Sequence, residues 1–308
     1  MGLTAVAAAA FAAFYFIDGF WEIILVTILF FMFFSASQPL AESLTMHVVR
    51  TESANYGRIR LWGSITFIGA AVGGGAILEG RDADFIFYLS LLGLGLLFFV
   101  CVALPRARFA ASTSGKPPLL ELCRIKTFLL MLGTAALIQS SHAVVYSFST
   151  IHWKSIGYSE ALIGLLWAEG VVAEIILFHY SASVLRRISP VMLIIIAAVA
   201  GMLRWTIMGT TDALPALFFA QALHGLTFGA AHLGAVHYIS DNIPPHLSAT
   251  AQSLLSAVVM GIAIGITTIT AGAMYGVIGA KSYYPMAGLA VASAILGLLL
   301  YIRLNRDT

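Results

Sequence analysis

The chain has 308 residues, of which 60% are hydrophobic and only 10% charged, with a formal net charge of +2 and a mean hydropathy of +0.95. Soluble domains interleave polar faces with apolar ones, and a composition this apolar excludes that design. Its two cysteines, Cys101 and Cys123, suggest neither a disulfide framework nor a metal cage.

Apolar stretches of about 20 residues recur along the whole sequence. A helix rises about 1.5 Å per residue, so each stretch can cross a hydrocarbon core about 30 Å thick. Ten spans are predicted, near 3–17, 22–46, 59–78, 84–104, 127–150, 160–185, 190–209, 213–239, 249–275 and 282–302. The first lacks a basic leading segment and so reads as a short span, not a secretory signal. The fold class is therefore all-α and integral to a membrane, and function is sought in the polar groups left inside the spans.

Basic residues set the orientation. Twelve of the sixteen Lys and Arg lie on one side, among them Arg50, Arg58, Arg106, Arg124, Arg186 and Arg303. The other side has Arg81, Lys154 and Lys281, and Arg204 sits within a span. The positive-inside rule puts the rich side, with both termini, in the cytoplasm. Residues 105–126, PRARFAASTSGKPPLLELCRIK, read as a cytoplasmic linker. They separate an N-terminal bundle of four spans, 1–104, from a C-terminal bundle of six, 127–308. Transporters are often built from two bundles of equal helix number, with substrate near the midplane between them. A 4 + 6 division leads us to expect two further helices ahead of the first span.

The polar residues follow in chain order. Glu42 and Arg60 flank a short cytoplasmic turn and can neutralise one another or hold a ligand between them. The small-residue runs Gly69–Gly75 and Gly261–Gly265 read first as close helix packing. Gln139, His142 and Tyr146 share one stripe of a helix by their spacing, which suits a wet cavity or interhelical hydrogen bonding. Glu169 and Glu174 point about 140° apart and form no acid–base pair. Glu174 is a candidate proton carrier, or a partner for Arg204. On a helical wheel Gln221 and His232 nearly coincide, His224 lies about 60° away and His237 points oppositely, a poor arrangement for a metal. His224 suits a proton-linked role or a satisfied core position.

At YGRIRLWGSITF (Tyr56 to Phe67), QSSHAVVYSF, LLWAEGVVAEIILF, GMLRWTIMG and LHGLTFGAAH, the chain resembles the major facilitator superfamily. More narrowly, it is similar to the 3-phenylpropionate permease branch, related to lactose permease and the nucleoside proton symporters. The resemblance implies a twelve-helix fold of which this chain supplies helices three to twelve. It implies that Glu42 and Arg60 organise the substrate site, and that Phe67 stands where a relative stacks a tryptophan on a sugar ring. It also implies that Glu174, Arg204 and His224 match functional positions on the eighth, ninth and tenth helices, with His224 binding substrate. Two departures stand out. Thr227 occupies the place of a proton-carrying glutamate, and the superfamily's Gly-x-x-x-Asp-Arg loop is absent from the sequence.

The resulting expectation is a secondary active transporter, a proton symporter of a small aromatic carboxylate such as 3-phenylpropionate. It would work by alternating access as a monomer in the cell inner membrane. Glu42, Arg60, Phe67, Gln139, His142, Tyr146, Arg204 and His224 are the expected substrate-binding residues, with Glu174 and His224 for proton coupling. The expected partners are the small-molecule substrate, protons and the lipid bilayer, with no cofactor, no metal and no nucleic acid. A truncated, transport-dead permease and a symporter of a nucleoside or sugar are the alternatives. Enzyme motifs such as Gly-x-Ser-x-Gly and His-Glu-x-x-His do not occur.

Overall fold

Long apolar segments must satisfy their backbone internally, and helices do so within each segment. The computed structural model describes residues 1–37, 40–41, 44–45, 56–78, 81, 84–104 and 118–306, with backbone alone at 56–58, 60, 71–72, 75–76, 78 and 118. No strand occurs among the described residues. In chain order the helices are α1 (Gly2–Ala12), α2 (Phe20–Phe34), α3 (Tyr56–Leu78), α4 (Asp84–Ala103), α5 (Pro118–Leu122), α6 (Lys126–Ser140), α7 (Ala143–Ser155) and α8 (Glu160–His179). They continue as α9 (Ser181–Leu185), α10 (Pro190–Thr210), α11 (Leu214–Ala222), α12 (Ala231–Asn242), α13 (Pro245–Leu255), α14 (Ile264–Ile278) and α15 (Tyr283–Arg306). Six described runs are long and apolar enough to cross a membrane: Asp84–Ala103, Lys126–Ser155, Glu160–His179, Pro190–Thr210, Leu214–Asn242 and Pro245–Arg306.

The chain forms two compact units, Met1–Ile59 with Val72–Ala111, and Arg60–Ala71 with Ser112–Thr308. In the first, α1 packs on α2 and α4. Small Ala7 and Ala10 are buried on α1, while Phe11 meets Phe30 at 5.4 Å and stacks on Phe87 at 5.5 Å. A cavity of about 370 Å³ among Phe11, Phe30, Phe34, Ser90, Gly93, Leu94 and Leu97 adjoins this aromatic cluster.

The second unit is centred on α10, which packs against α6, α11, α12 and α15. Its start is fixed by sequence: the Ser189 hydroxyl accepts from the Met192 amide at 3.3 Å, and Pro190 opens the first turn. Lipid tails are as apolar as leucine, so helix association here depends on close van der Waals packing. At Gly201 a Cβ would lie 2.8 Å from Ile138 Cδ1, and at Gly297 a Cβ would lie 2.8 Å from Ile195 Cγ1. Both glycines thus let α6, α10 and α15 approach more closely than alanine would.

Several expected spans are interrupted. The one at 127–150 breaks after Ser140, because the Ser141 hydroxyl and the His142 ring take the carbonyls of the last turn: Ser141 Oγ donates to Ile138 O at 2.6 Å, and His142 Nδ1 lies 3.1 Å from the same oxygen. The span at 160–185 ends at His179, with α9 separate. That at 213–239 passes from α11 into a π-helical turn, Gly225–Ala230, before α12, so a regular helical wheel does not describe it. A second π-helical run, Ser256–Ala263, lies between α13 and α14. Gly279, with φ +55°, ends α14 in a conformation that favours glycine.

Candidate functional site

Two of these interruptions, the turn at Ser141–His142 and the π-helical turn at Gly225–Ala230, meet beside the middle of α10. There Arg204 is 1% exposed. An ionised group buried away from water is costly unless its donors find acceptors. Arg204 Nη1 donates to Thr227 Oγ1 at 2.9 Å and approaches His224 Nδ1 at 3.0 Å, while Nη2 donates to Gln221 Oε1 at 2.7 Å. Its guanidinium also lies 4.7 Å from the centre of the Trp205 ring, a cation–π contact. Arg204 Nε has no hydrogen-bond partner among the described residues.

The partners are themselves oriented. Gln221 Nε2 donates to Leu166 O at 2.9 Å, which fixes the amide with its oxygen toward the arginine. His142 Nδ1 faces the carbonyls of Ile138 and Gln139 at 3.1 and 3.2 Å, so Nδ1 carries the ring proton. His142 Nε2, 3.0 Å from Thr227 Oγ1, is then the acceptor of the Thr227 hydroxyl. His224 takes the opposite tautomer, because its Nδ1 must accept from Arg204. Its Nε2–H faces Glu174 Oε2 at 3.9 Å, beyond hydrogen-bond distance.

Aromatic rings surround this network. His142 stacks on Tyr146 at 5.5 Å and meets Trp205 edge-on at 5.0 Å. Tyr146, which is 42% exposed, lies parallel to Trp167 at 6.3 Å. Trp205 donates through Nε1 to Ser141 Oγ at 2.9 Å and stacks on Tyr283, which is hydrogen-bonded to Ser149. Gln139 Nε2 reaches Phe228 O at 3.4 Å. His232 stacks on Phe228 at 6.3 Å and meets Phe178. Close approach of the π-helical turn to α8 depends on two glycines. A Cβ at Gly225 would stand 2.6 Å from Ala173 O, and one at Gly229 would stand 2.9 Å from Leu177 Cδ2.

Of the expected site residues, the structure thus brings together Gln139, His142, Tyr146, Glu174, Arg204 and His224 within the second unit. Phe67, on α3, is 55% exposed. Glu42 lies outside the described residues, and at Arg60 only the backbone is described. Glu174, weighed in the sequence as a partner for Arg204, faces His224. Sequence reasoning missed Trp205 and Ser141, and it treated Thr227 as a lost function. Their signals were present, since all three lie inside the motifs that carry the family resemblance, but none is charged. No group of three His, Cys, Asp or Glu that could hold a metal ion occurs among the described residues.

The model of the MFS_1-like family matches residues 2–286. The chain is 36% identical over 279 residues to a protein of Escherichia coli described as a probable 3-phenylpropionic acid transporter, covering 89% of this chain and 73% of that one. Among solved structures, a mutant of the nucleoside transporter NupG superposes with a TM-score of 0.78 at 16% identity, covering 97% of this chain and 82% of that one. The fucose:proton symporter FucP of E. coli superposes with a TM-score of 0.65 at 13% identity, covering 97% and 81% respectively. These relatives are transporters, not enzymes.

Proposed function

We propose a substrate and a coupling ion from one premise: this chain belongs to the MFS_1-like family and is a multi-pass membrane transporter of the major facilitator superfamily. It is a secondary active transporter that moves a small aromatic carboxylate, such as 3-phenylpropionate, together with a proton. It acts by alternating access, as a monomer in the cell inner membrane with both termini cytoplasmic. One observation carries this reading: a buried arginine held by uncharged hydrogen-bond partners, in a setting of aromatic rings. Such a cation favours an anionic group, and rings favour an aromatic body. The 36% identity to a probable 3-phenylpropionic acid transporter supports the same substrate class.

In this reading Arg60 or Arg204 pairs with the substrate carboxylate, Phe67 stacks on the ring, and Glu42 holds Arg60 until substrate arrives. Gln139, His142, Tyr146 and His224 complete the binding site, and Glu174 beside His224 carries the proton. The test is uptake of labelled 3-phenylpropionate into proteoliposomes under an imposed pH difference. Accumulation above equilibrium is expected for the unmodified chain, and only downhill equilibration for Glu174→Gln. Accumulation indifferent to the pH difference would remove the proton. Accumulation of a nucleoside or sugar, with none of the acid, would remove the carboxylate. A Glu174→Gln chain that still accumulates the acid would relocate the proton carrier.

A further inference from the structure

Thr227 is uncharged, yet its hydroxyl sits at the crossing point of the hydrogen-bond network. The chain of donors has a direction. His142 Nδ1–H is committed to the carbonyls of Ile138 and Gln139, so His142 Nε2 offers a lone pair. The Thr227 proton goes to that lone pair across 3.0 Å, with the more distant His224 carbonyl, at 3.4 Å, as its alternative. What Thr227 presents to Arg204, at 2.9 Å, is therefore an oxygen lone pair. His224 Nδ1 and Gln221 Oε1 present lone pairs too. Three neutral acceptors thus hold the guanidinium in place without cancelling its charge. They take both hydrogens of Nη1 and one of Nη2, and leave Nε, enclosed in the protein, with no partner among the described residues. An enclosed donor of this kind is satisfied when an acceptor arrives.

We infer that the Nε edge of Arg204 is the seat of the substrate carboxylate, and that Thr227 is the positioning residue that makes this seat selective for an anion. A neutral hydroxyl aims the guanidinium and preserves its charge. A carboxylate at position 227, at the same short distance, would neutralise the arginine and supply from within the protein the anion that the substrate otherwise brings. The inference rests on the proposed aromatic-acid substrate and goes further by naming the arginine, its edge and the residue that sets selectivity.

The experiment is binding of 3-phenylpropionate and of its uncharged isostere 3-phenylpropionamide to the purified full chain in nanodiscs. The unmodified chain, Thr227→Ser, Thr227→Val and Thr227→Asp are compared. The unmodified chain is expected to prefer the acid by about tenfold or more, the size of one lost charge-assisted hydrogen bond. Thr227→Ser keeps that preference. Thr227→Val, close in shape but without the oxygen, weakens acid binding about tenfold and amide binding by less, because the neutral carbonyl gains less from the arginine. Thr227→Asp binds acid and amide alike.

The unmodified chain judges the substrate reading: if it binds the two compounds equally, or neither, that reading fails. If it prefers the acid and Thr227→Asp keeps the same preference, the role of Thr227 is overturned. Amide binding reports whether the Asp chain is folded. Should it be misfolded, the Val and Ser pair decides the matter, since full acid binding by Thr227→Val overturns the inference and its recovery in Thr227→Ser upholds it.

Discussion

Arg204 can remain buried because two of its acceptors are held in that role from behind: Gln221 by Leu166 O on α8, and Thr227, through His142, by the carbonyls of Ile138 and Gln139 on α6. A guanidinium suits such a position, because its planar fork offers several donors at once, where a lysine ammonium is a compact point charge. Arg204→Lys is expected to lose at least two of the three contacts, weakening acid binding by about a hundredfold, as equilibrium binding in nanodiscs would register. The tautomers make a second, independent prediction. Nitrogen NMR of histidine-labelled protein should find His142 protonated at Nδ1 and His224 at Nε2. Were His142 protonated at Nε2, the hydroxyl of Thr227 would be left to donate elsewhere and the proposed direction of the network would be wrong. The sequence drew attention to His142, His224 and Arg204 because polar residues inside apolar spans are rare and costly. It could not rank Thr227 beside them, because threonine in a span most often just bonds its own helix, as Thr134 and Thr206 do here with Leu130 O and Met202 O.

At the scale of the helix, the site is made by departures from regular geometry. The π-helical turn at Gly225–Ala230 widens the helix where His224 and Thr227 both reach Arg204. Such turns are uncommon and recur at functional sites. The turn is seated against α8 by Gly225, whose missing side chain admits Ala173 O; backbone there has no flexible end to move aside. Gly225→Ala is therefore expected to cost about 1–3 kcal/mol and to lower the thermal midpoint in detergent. Gly276, where nothing lies within 4 Å of an added Cβ, serves as the control and should tolerate alanine with little change. Comparable losses at both positions would mean that α8 does not pack where the structure has it. Hydropathy located the spans near 160–185 and 213–239 but could not register the π-helical turn, since residue composition is the same whether a turn closes one residue wider or not.

At the scale of the whole molecule, charge asymmetry and hydropathy act together. An apolar chain with basic residues concentrated on one side has few ways to thread a bilayer. Cys123, exposed beside α5, and Lys281, in the tight turn before α15, are assigned to opposite sides by that rule. In a Cys101→Ser background, a membrane-impermeant maleimide applied to intact cells should leave Cys123 unlabelled. A Cys101→Ser, Cys123→Ser, Lys281→Cys chain should be labelled. The reverse pattern would invert the topology and place the termini outside.

The sequence by itself determined the fold class, the family and the residues that are out of place in a hydrocarbon setting. Each of these follows from composition or from local pattern: apolar length, charge on flanking segments, and short motifs read in order. The tertiary structure alone decided which polar groups act together. Gln139, Glu174, Arg204 and Gln221 are far apart along the chain, and their meeting depends on how α6, α8, α10 and α11 pack and where each helix is interrupted. It also decided the hydrogen-bonding role of every group around Arg204, because a donor or acceptor role is a property of a pair of atoms in contact and of no residue alone.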